Sequence, residues 1–166
     1  ISGGVDNSVL SVSTGAFIGG GHQNVISNRF GHIGGGKSNA ATAIYATIGG
    51  GVSNAATSLY VTIGGGRQNS GATSFTTVSG GFANTIAASA MAATISGGYA
   101  NHVSSGGGMS VIGGGTENIA SGFGSTISGG YANTADGYGS SVLGSYASLA
   151  TADYATVVGG LYNSAG

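Results

Sequence analysis

Apolar residues return along the chain at an almost constant interval. Each is followed mostly by small residues, then by two variable residues and, six positions on, by an asparagine, as from Ile48 to Asn54. The eleven starts are separated by 15 or 17 residues and fall at Ile1, Ile18, Ile33, Ile48, Ile63, Val78, Ile95, Ile112, Ile127, Val142 and Val157. A fixed period of this kind is the signature of a repeat architecture. The sequence therefore predicts a single repeat domain over residues 1–166, with about ten coils.

The residues around each start alternate as they do in a β-strand. Strand alternation places Ile48 and Ala46 on one face and Tyr45 and Thr47 on the other. A second apolar or small position follows eight residues after each start, as Ala56 follows Ile48. The longer copies gain two residues, which keeps every side chain on its face. Each copy thus predicts two short strands and two turns, and the fold class is an all-β parallel β-solenoid with about 4.8 Å between coils.

Two sets of residues are predicted to hold the coils together. Asparagines stacked in register can pass amide hydrogen bonds from coil to coil, while glycines supply the positive φ angles at the corners. These structural ladders include Ile18, Ile33, Ile48 and Ile63 in the core and Asn24, Asn39, Asn54, Asn69, Asn84 and Asn101 beside it. Ser148 is the one substitution in the asparagine series.

The composition excludes several classes of function. The 166 residues include 37 glycines, three basic and four acidic side chains, and no proline, cysteine or tryptophan. Collagen needs proline, cysteine-ligated metal sites need cysteine, and three basic residues cannot neutralise many phosphates. No apolar run approaches the roughly 18 residues of a membrane-spanning helix. We therefore expect no cofactor, no nucleic-acid partner and no membrane insertion by this segment.

Residues that match motifs of catalysis or metal binding lack the neighbouring elements or the spacing that those motifs require. Residues 31–38 fit the P-loop pattern G-x-x-x-x-G-K-[S/T], yet a P-loop lies between a strand and a helix, and this one lies across an ordinary repeat. His22, His32 and His102 fall near corners or on the outer face, and the four carboxylates have no calcium-loop spacing. No serine lies in a G-x-S-x-G elbow. The chain is predicted not to be an enzyme.

A solenoid converts equal sequence spacing into rows of side chains on its surface. The possible binding stripes are His22, Lys37, Arg67, Phe82, Tyr99, Tyr131 and Tyr146 in one row and Tyr45, Tyr60 and Phe75 in another. Aromatic rows can stack on sugars and a basic row can meet anionic glycans, or the same side chains can pack across an oligomer interface. A threonine row also raises ice binding, although bulky aromatic neighbours would make that surface uneven.

A coil of about 15 residues is small, and its size predicts an oligomer. Such a coil encloses little more than one isoleucine or valine and one or two alanines, while ordering its backbone is costly. The missing stabilisation would come from burying a second face against other copies of the chain. We therefore expect a homo-oligomer.

The run from Asn39 to Asn54, Asn-x-Ala-x-x-x-Tyr-Ala-Thr-Ile-Gly-Gly-Gly-x-x-Asn, resembles the head repeats of trimeric autotransporter adhesins of the YadA type. Similar repeats occur in phage tail fibres. The resemblance implies a left-handed β-roll, a homotrimer of side-by-side chains, and an extracellular location on a bacterial surface or a virion fibre. The predicted function is an adhesin-type surface module that attaches to a host protein, glycan or matrix. Two alternatives stay open: a structural fibre segment without a ligand, and a monomeric solenoid that binds ice or glycan.

Overall fold

The computed structural model, which describes residues 1–166, is a parallel β-solenoid of about eleven turns with roughly 15 residues per turn. Every strand contains two residues and pairs in parallel with the strands one repeat before and after it. The predicted fold class, an all-β parallel solenoid, is confirmed. The structure contains no helix with the length and hydrophobicity that crossing a membrane requires.

Three parallel sheets run along the solenoid; two are named after a residue type common in their strands, and the third after the single-residue bridges that extend it. The threonine sheet has ten strands: Phe17–Ile18, His32–Ile33, Thr47–Ile48, Thr62–Ile63, Thr77–Val78, Thr94–Ile95, Val111–Ile112, Thr126–Ile127, Ser141–Val142 and Thr156–Val157. The alanine sheet has eleven: Ser8–Val9, Val25–Ile26, Ala40–Ala41, Ala55–Ala56, Ser70–Gly71, Thr85–Ile86, His102–Val103, Ile119–Ala120, Thr134–Ala135, Leu149–Ala150 and Ser164–Ala165. The bridging sheet has three: Gly130–Tyr131, Ser145–Tyr146 and Gly160–Leu161.

The bridging sheet is the element that the repeat pattern did not predict. Single-residue bridges continue it from Tyr131 back to Val5, so each coil has three extended positions where two were expected. In most coils one residue alone pairs there, between a glycine corner and the asparagine. One paired residue per coil produces no alternation in the sequence.

One continuous core of 22 buried hydrophobic residues consists of the apolar starts from Ile18 onwards, the buried members of the second ladder, and Ala46, Val61, Ala90 and Ala93. Large side chains in this core are opposed by small ones. A Cβ at Gly31 would lie 2.6 Å from Cγ2 of Ile26, and a Cβ at Gly71 would lie 2.5 Å from Cγ1 of Val61. Conserving the total side-chain volume in this way keeps neighbouring coils the same size.

The asparagines form a hydrogen-bonded ladder inside one corner of the solenoid. From Asn24 to Asn133 they are fully buried. The backbone N–H of Asn54 donates to Oδ1 of Asn39 at 3.0 Å, and the side-chain NH₂ of Asn54 donates to the carbonyls of Gly50 and Gly66 at 2.9 Å. Each amide group therefore connects three successive coils.

Ser148 interrupts this ladder, and a second serine takes over part of the lost bonding. The Ser148 N–H and the Ser145 hydroxyl both donate to Oδ1 of Asn133 at 3.0 Å, and the Asn163 N–H donates to the Ser148 hydroxyl at 3.1 Å. Position 145 is glycine in every other copy, where a Cβ would lie no more than 2.9 Å from Nδ2 of the asparagine. The side chain of Ser145 fits because no asparagine stands at position 148.

The corners contain left-handed residues other than glycine, which the sequence analysis did not anticipate. Eighteen non-glycine residues have φ between 49° and 62°. They occupy the position before each asparagine, the position before Ser148 and, in seven coils, the position three residues before a start. A left-handed non-glycine residue costs on the order of 1 kcal/mol, and hydrogen bonds between coils offset that cost, as where the Tyr45 N–H donates to the Arg29 carbonyl at 3.2 Å.

One chain already buries as much surface as an ordinary globular protein of its mass. Its accessible surface is 6916 Å², while a monomer of 15.6 kDa is expected to expose about 7,200 Å². The reason is that each coil covers its two neighbours. Coil thinness by itself therefore does not require a homo-oligomer, and the oligomeric state stays a prediction.

Candidate functional site

A row of exposed or half-exposed side chains runs along the bridging sheet. This bridging row consists of Val5, His22, Lys37, Val52, Arg67, Phe82, Tyr99, Thr116, Tyr131, Tyr146 and Leu161, which pair in register from coil to coil. It contains all seven residues of the first predicted stripe. Each member of the row follows the small residues of the corner and begins a short extended segment. The asparagine position of the same coil follows two residues later.

The basic half of the bridging row carries little free positive charge. His22 Nε2 lies 3.7 Å from Oδ2 of Asp6, and the guanidinium of Arg67 lies 5.5 Å from the centroid of the Phe82 ring. Lys37 has no carboxylate within 4.0 Å, and Val52 separates it from Arg67. An anionic glycan would therefore meet one free lysine and one arginine already engaged with an aromatic face.

The aromatic half consists of two stacked pairs with a gap between them. Phe82 and Tyr99 stack at a centroid distance of 5.3 Å, and Tyr131 and Tyr146 stack at 5.0 Å. Thr116 stands between the two pairs. Tyr99 and Tyr131 thus each have one ring face against an aromatic neighbour and the other directed towards Thr116.

Glu117 is a polar member of this region that the stripe analysis missed. It is exposed and raises the pKa of Tyr131 above 10.0, first by its negative charge and second by a polar contact with the phenol, with smaller contributions from burial and Tyr146. Both effects favour the neutral phenol over the phenolate. The Glu117 carboxylate therefore lies beside the Tyr131 hydroxyl at the edge of the gap.

Replacing Glu117 with glutamine is expected to lower the pKa of Tyr131 towards the ordinary value of 10.0, because the neutral amide no longer opposes ionisation of the phenol. Spectrophotometric titration of the tyrosines would show one group ionising at lower pH than in the parent chain. Asp6→Asn, a neutralisation at a distant coil, should leave that titration unchanged. An unchanged titration in Glu117→Gln would contradict the contact.

A second exposed row follows the corner that precedes the threonine sheet. Phe30, Tyr45, Tyr60 and Phe75 stack there at centroid distances of 4.9 to 5.1 Å, with ring planes within 9° of one another. Six further large side chains lie at the same corner, in that repeat position or the one before it, and the charged Arg29 and Asp153 lie at its two ends. We call the ten uncharged side chains the corner ridge: Phe30, Tyr45, Leu59, Tyr60, Phe75, Met91, Met109, Phe123, Tyr138 and Tyr154. Every member is at least 43 % exposed.

The stacking leaves the central rings of the corner ridge no open face for a sugar. Both faces of Tyr45 and of Tyr60 are covered by neighbouring rings, so their outward surface is ring edge and hydroxyl. Carbohydrate stacking uses an open aromatic face. The geometry therefore does not support sugar binding by Tyr45 and Tyr60, and a ridge of ring edges is better matched to an apolar groove.

The threonine sheet carries a regular array of threonines over part of its length. Thr47, Thr62, Thr77 and Thr94 lie in register in four successive coils. The aromatic side chains lie at the corner rather than beside these threonines, and the next outward residue in each of the four copies is glycine or serine. The aromatic residues therefore border this threonine array on one side and do not interrupt it.

The P-loop match is a corner of the solenoid. No helix follows it, and its amides are engaged: the N–H of Lys37 donates to the Gly51 carbonyl and that of Ser38 to the His22 carbonyl, both at 2.9 Å. A phosphate cradle needs free amides at a helix N-terminus. The structure also has no cluster of three metal-ligating side chains and no enclosed pocket.

Comparison with known proteins adds no family to this description. The sequence matches no protein-family model and no curated protein. Because a fold by itself does not assign a function, any function must be argued from the exposed rows. The resemblance to trimeric autotransporter heads rests on the repeat itself and stays a prediction.

Proposed function

We propose that the chain is a non-enzymatic, adhesin-type surface module that attaches to a protein partner through the corner ridge. The observation that carries this proposal is the exposure of ten large apolar side chains along one corner of a rod. Soluble monomers rarely expose contiguous apolar patches larger than a few hundred Å², and larger ones mark interaction sites. None of the ridge side chains is charged, so the fitting partner surface is an apolar groove.

The proposed setting is extracellular, on a bacterial surface or a virion fibre, in keeping with the resemblance to YadA-type heads. The same resemblance supports left-handed winding and a homotrimer. Three chains side by side would bury one outer row near the axis and leave another exposed. The proposal assigns attachment to the corner ridge, because it is the more apolar of the two exposed rows.

Bead adhesion tests the attachment function. Beads coated with the chain should adhere to cultured epithelial cells and to immobilised matrix protein, and the double variant Tyr45→Ser/Tyr60→Ser should reduce adhesion by about tenfold or more, as expected for central anchors. The matched control, Tyr146→Ser/Tyr162→Ser, removes another exposed pair of contacting tyrosines outside the corner ridge and should retain adhesion. Equal adhesion by both double variants would contradict a role for the ridge.

Light scattering on the same preparations separates attachment from the structural-fibre alternative. A parent particle of three chains, each of 15.6 kDa, that falls to one chain in Tyr45→Ser/Tyr60→Ser would show that the ridge is buried between subunits. That result would support the structural-fibre alternative and would exclude the ridge as an adhesive surface. A particle of unchanged mass with lost adhesion supports attachment.

Ice binding is a second candidate, favoured by the regular threonine array described above. Threonine hydroxyls and methyls lie in register over four coils, with glycine or serine as the next outward residue. Thermal hysteresis of the purified chain tests this candidate, with Thr62→Lys/Thr77→Lys as the variant that disrupts the array. Absence of hysteresis in the parent chain would exclude it.

A further inference from the structure

The gap at Thr116 in the bridging row has two open aromatic walls. Tyr99, Thr116 and Tyr131 follow one another in successive coils. The outer faces of the two tyrosines are covered, by Phe82 at 5.3 Å and by Tyr146 at 5.0 Å, so the faces towards Thr116 are the open ones. Since neighbouring strands lie about 4.8 Å apart, the two rings are separated by two coil spacings, about 9.6 Å.

This separation suits a rounded cation better than a flat ring. A cation is held by an aromatic face when it lies within about 6 Å of the ring centroid. The midpoint of the gap is about 4.8 Å from each ring plane, so one cation there contacts both faces. A flat ligand stacked on either tyrosine would leave the other face too distant for a second stack.

The same row already contains this type of contact within the chain. The guanidinium of Arg67 lies one coil away from Phe82, 5.5 Å from the centroid of its ring. A ligand cation above Thr116 would have the same relation to Tyr99 on one side and to Tyr131 on the other. The spacing of the coils therefore sets a favourable cation-to-ring distance along this row.

A carboxylate without a basic partner lies at the gap. Glu117 directly follows Thr116 and is exposed, and no lysine, arginine or histidine nitrogen lies within 4.0 Å of it. The equivalent residues in the adjacent coils are Ala100 and Ala132, which leave room around the carboxylate. Its position next to Thr116, which pairs with Tyr131 in the following coil, puts it at the border of the gap.

We propose that Tyr99, Thr116, Glu117 and Tyr131 form a binding site for a quaternary ammonium group of the choline type. The methyl groups contact the two tyrosine faces, the short side chain of Thr116 forms the floor, and the Glu117 carboxylate neutralises the charge. Aromatic surfaces with a nearby acid are the chemistry by which proteins recognise alkylated ammonium groups. The proposal goes beyond the attachment function and does not rest on it, since none of these residues belongs to the corner ridge.

Proton NMR with choline chloride tests the site on the full chain. The choline methyl signal should shift upfield, because the methyl groups lie over two ring faces, and titration should give a Kd on the order of 1 to 10 mM for so open a site. The neutral isostere of choline, in which a tert-butyl group replaces trimethylammonium, should bind at least tenfold more weakly. Equal binding of the two compounds, or no binding of choline, would overturn the proposal.

Variants locate the binding. Thr116→Tyr fills the gap with the residue that the row uses at positions 99, 131 and 146, and it should abolish the methyl shift, while Val52→Tyr, the same kind of filling in a distant coil of the row, should not. Glu117→Gln should weaken binding by about threefold to tenfold, and Tyr99→Ala, which removes one wall without filling the gap, should also abolish the shift. Retained binding in Thr116→Tyr and Tyr99→Ala would overturn the assignment. Binding of methyl glucoside without choline would assign the gap to a sugar instead.

Discussion

Replacing Asn54 with alanine is expected to lower the free energy of unfolding by on the order of 4 kcal/mol. The change leaves the buried N–H of Asn69 without its acceptor and the carbonyl of Gly50 without its side-chain donor, while the carbonyl of Gly66 keeps only the bond from the Val52 N–H. Each unpaired buried polar group costs about 1 to 3 kcal/mol. Urea unfolding followed by circular dichroism measures the loss.

Asn28→Ala is the matched control for the ladder. Asn28 lies outside the ladder, and its Oδ1 accepts one hydrogen bond, at 3.0 Å, from the N–H of the next residue, Arg29. Its replacement should cost less than about 1 kcal/mol. Equal losses in the two variants would show that the interior ladder contributes no more than an ordinary surface asparagine.

Replacing Gly66 with alanine is expected to cost at least about 3 kcal/mol. The new Cβ would lie 2.2 Å from the carbonyl oxygen of Gly81 and 2.7 Å from Nδ2 of Asn69, at a residue whose φ is +84°. The nearest obstacle is backbone, so relief requires the two coils to move apart and to stretch their hydrogen bonds. The shift of the thermal unfolding midpoint measures the effect.

Gly124→Ala separates close approach from left-handed backbone. Gly124 also has a positive φ, +67°, but no atom lies within 4 Å of its Cβ position. The equivalent residue in another coil is Ala92, at φ +60°. Gly124→Ala should change stability by less than about 1 kcal/mol. A loss as large as that of Gly66→Ala would make the backbone conformation, rather than the contact with the next coil, the cause.

The core of the solenoid could be predicted because burial repeats with the sequence period. Ile48 is buried while its neighbour Thr47 is half-exposed, so alternation and period together identify the inward residues. The left-handed corner at Tyr45 could not be predicted, since tyrosine has no preference for that conformation and hydrogen bonds between coils impose it. Strand alternation alone consequently predicts the aromatic row beside the threonines, whereas it lies at a corner.

The candidate surfaces were predictable as rows but not in their detail. Equal spacing places Tyr99 and Tyr131 in one line, yet the line alone does not tell which ring faces are covered. That depends on the residue one coil away, Phe82 on one side and Thr116 on the other. The role of Glu117 could not be predicted, because a single carboxylate does not form part of a repeating pattern. Its importance arises from proximity to Tyr131, which only three-dimensional structure reveals.

Because every coil adds the same height, the length of the rod is proportional to the number of repeats. Every surface row is defined by a position within the repeat, and each coil contacts its immediate neighbours in the same way. Duplication of one 15-residue copy would lengthen the rod by about 4.8 Å and extend every row by one residue, without disturbing the registers on either side. A change in the number of copies therefore changes the length of the rod but leaves its cross-section and the residue types on its faces unchanged.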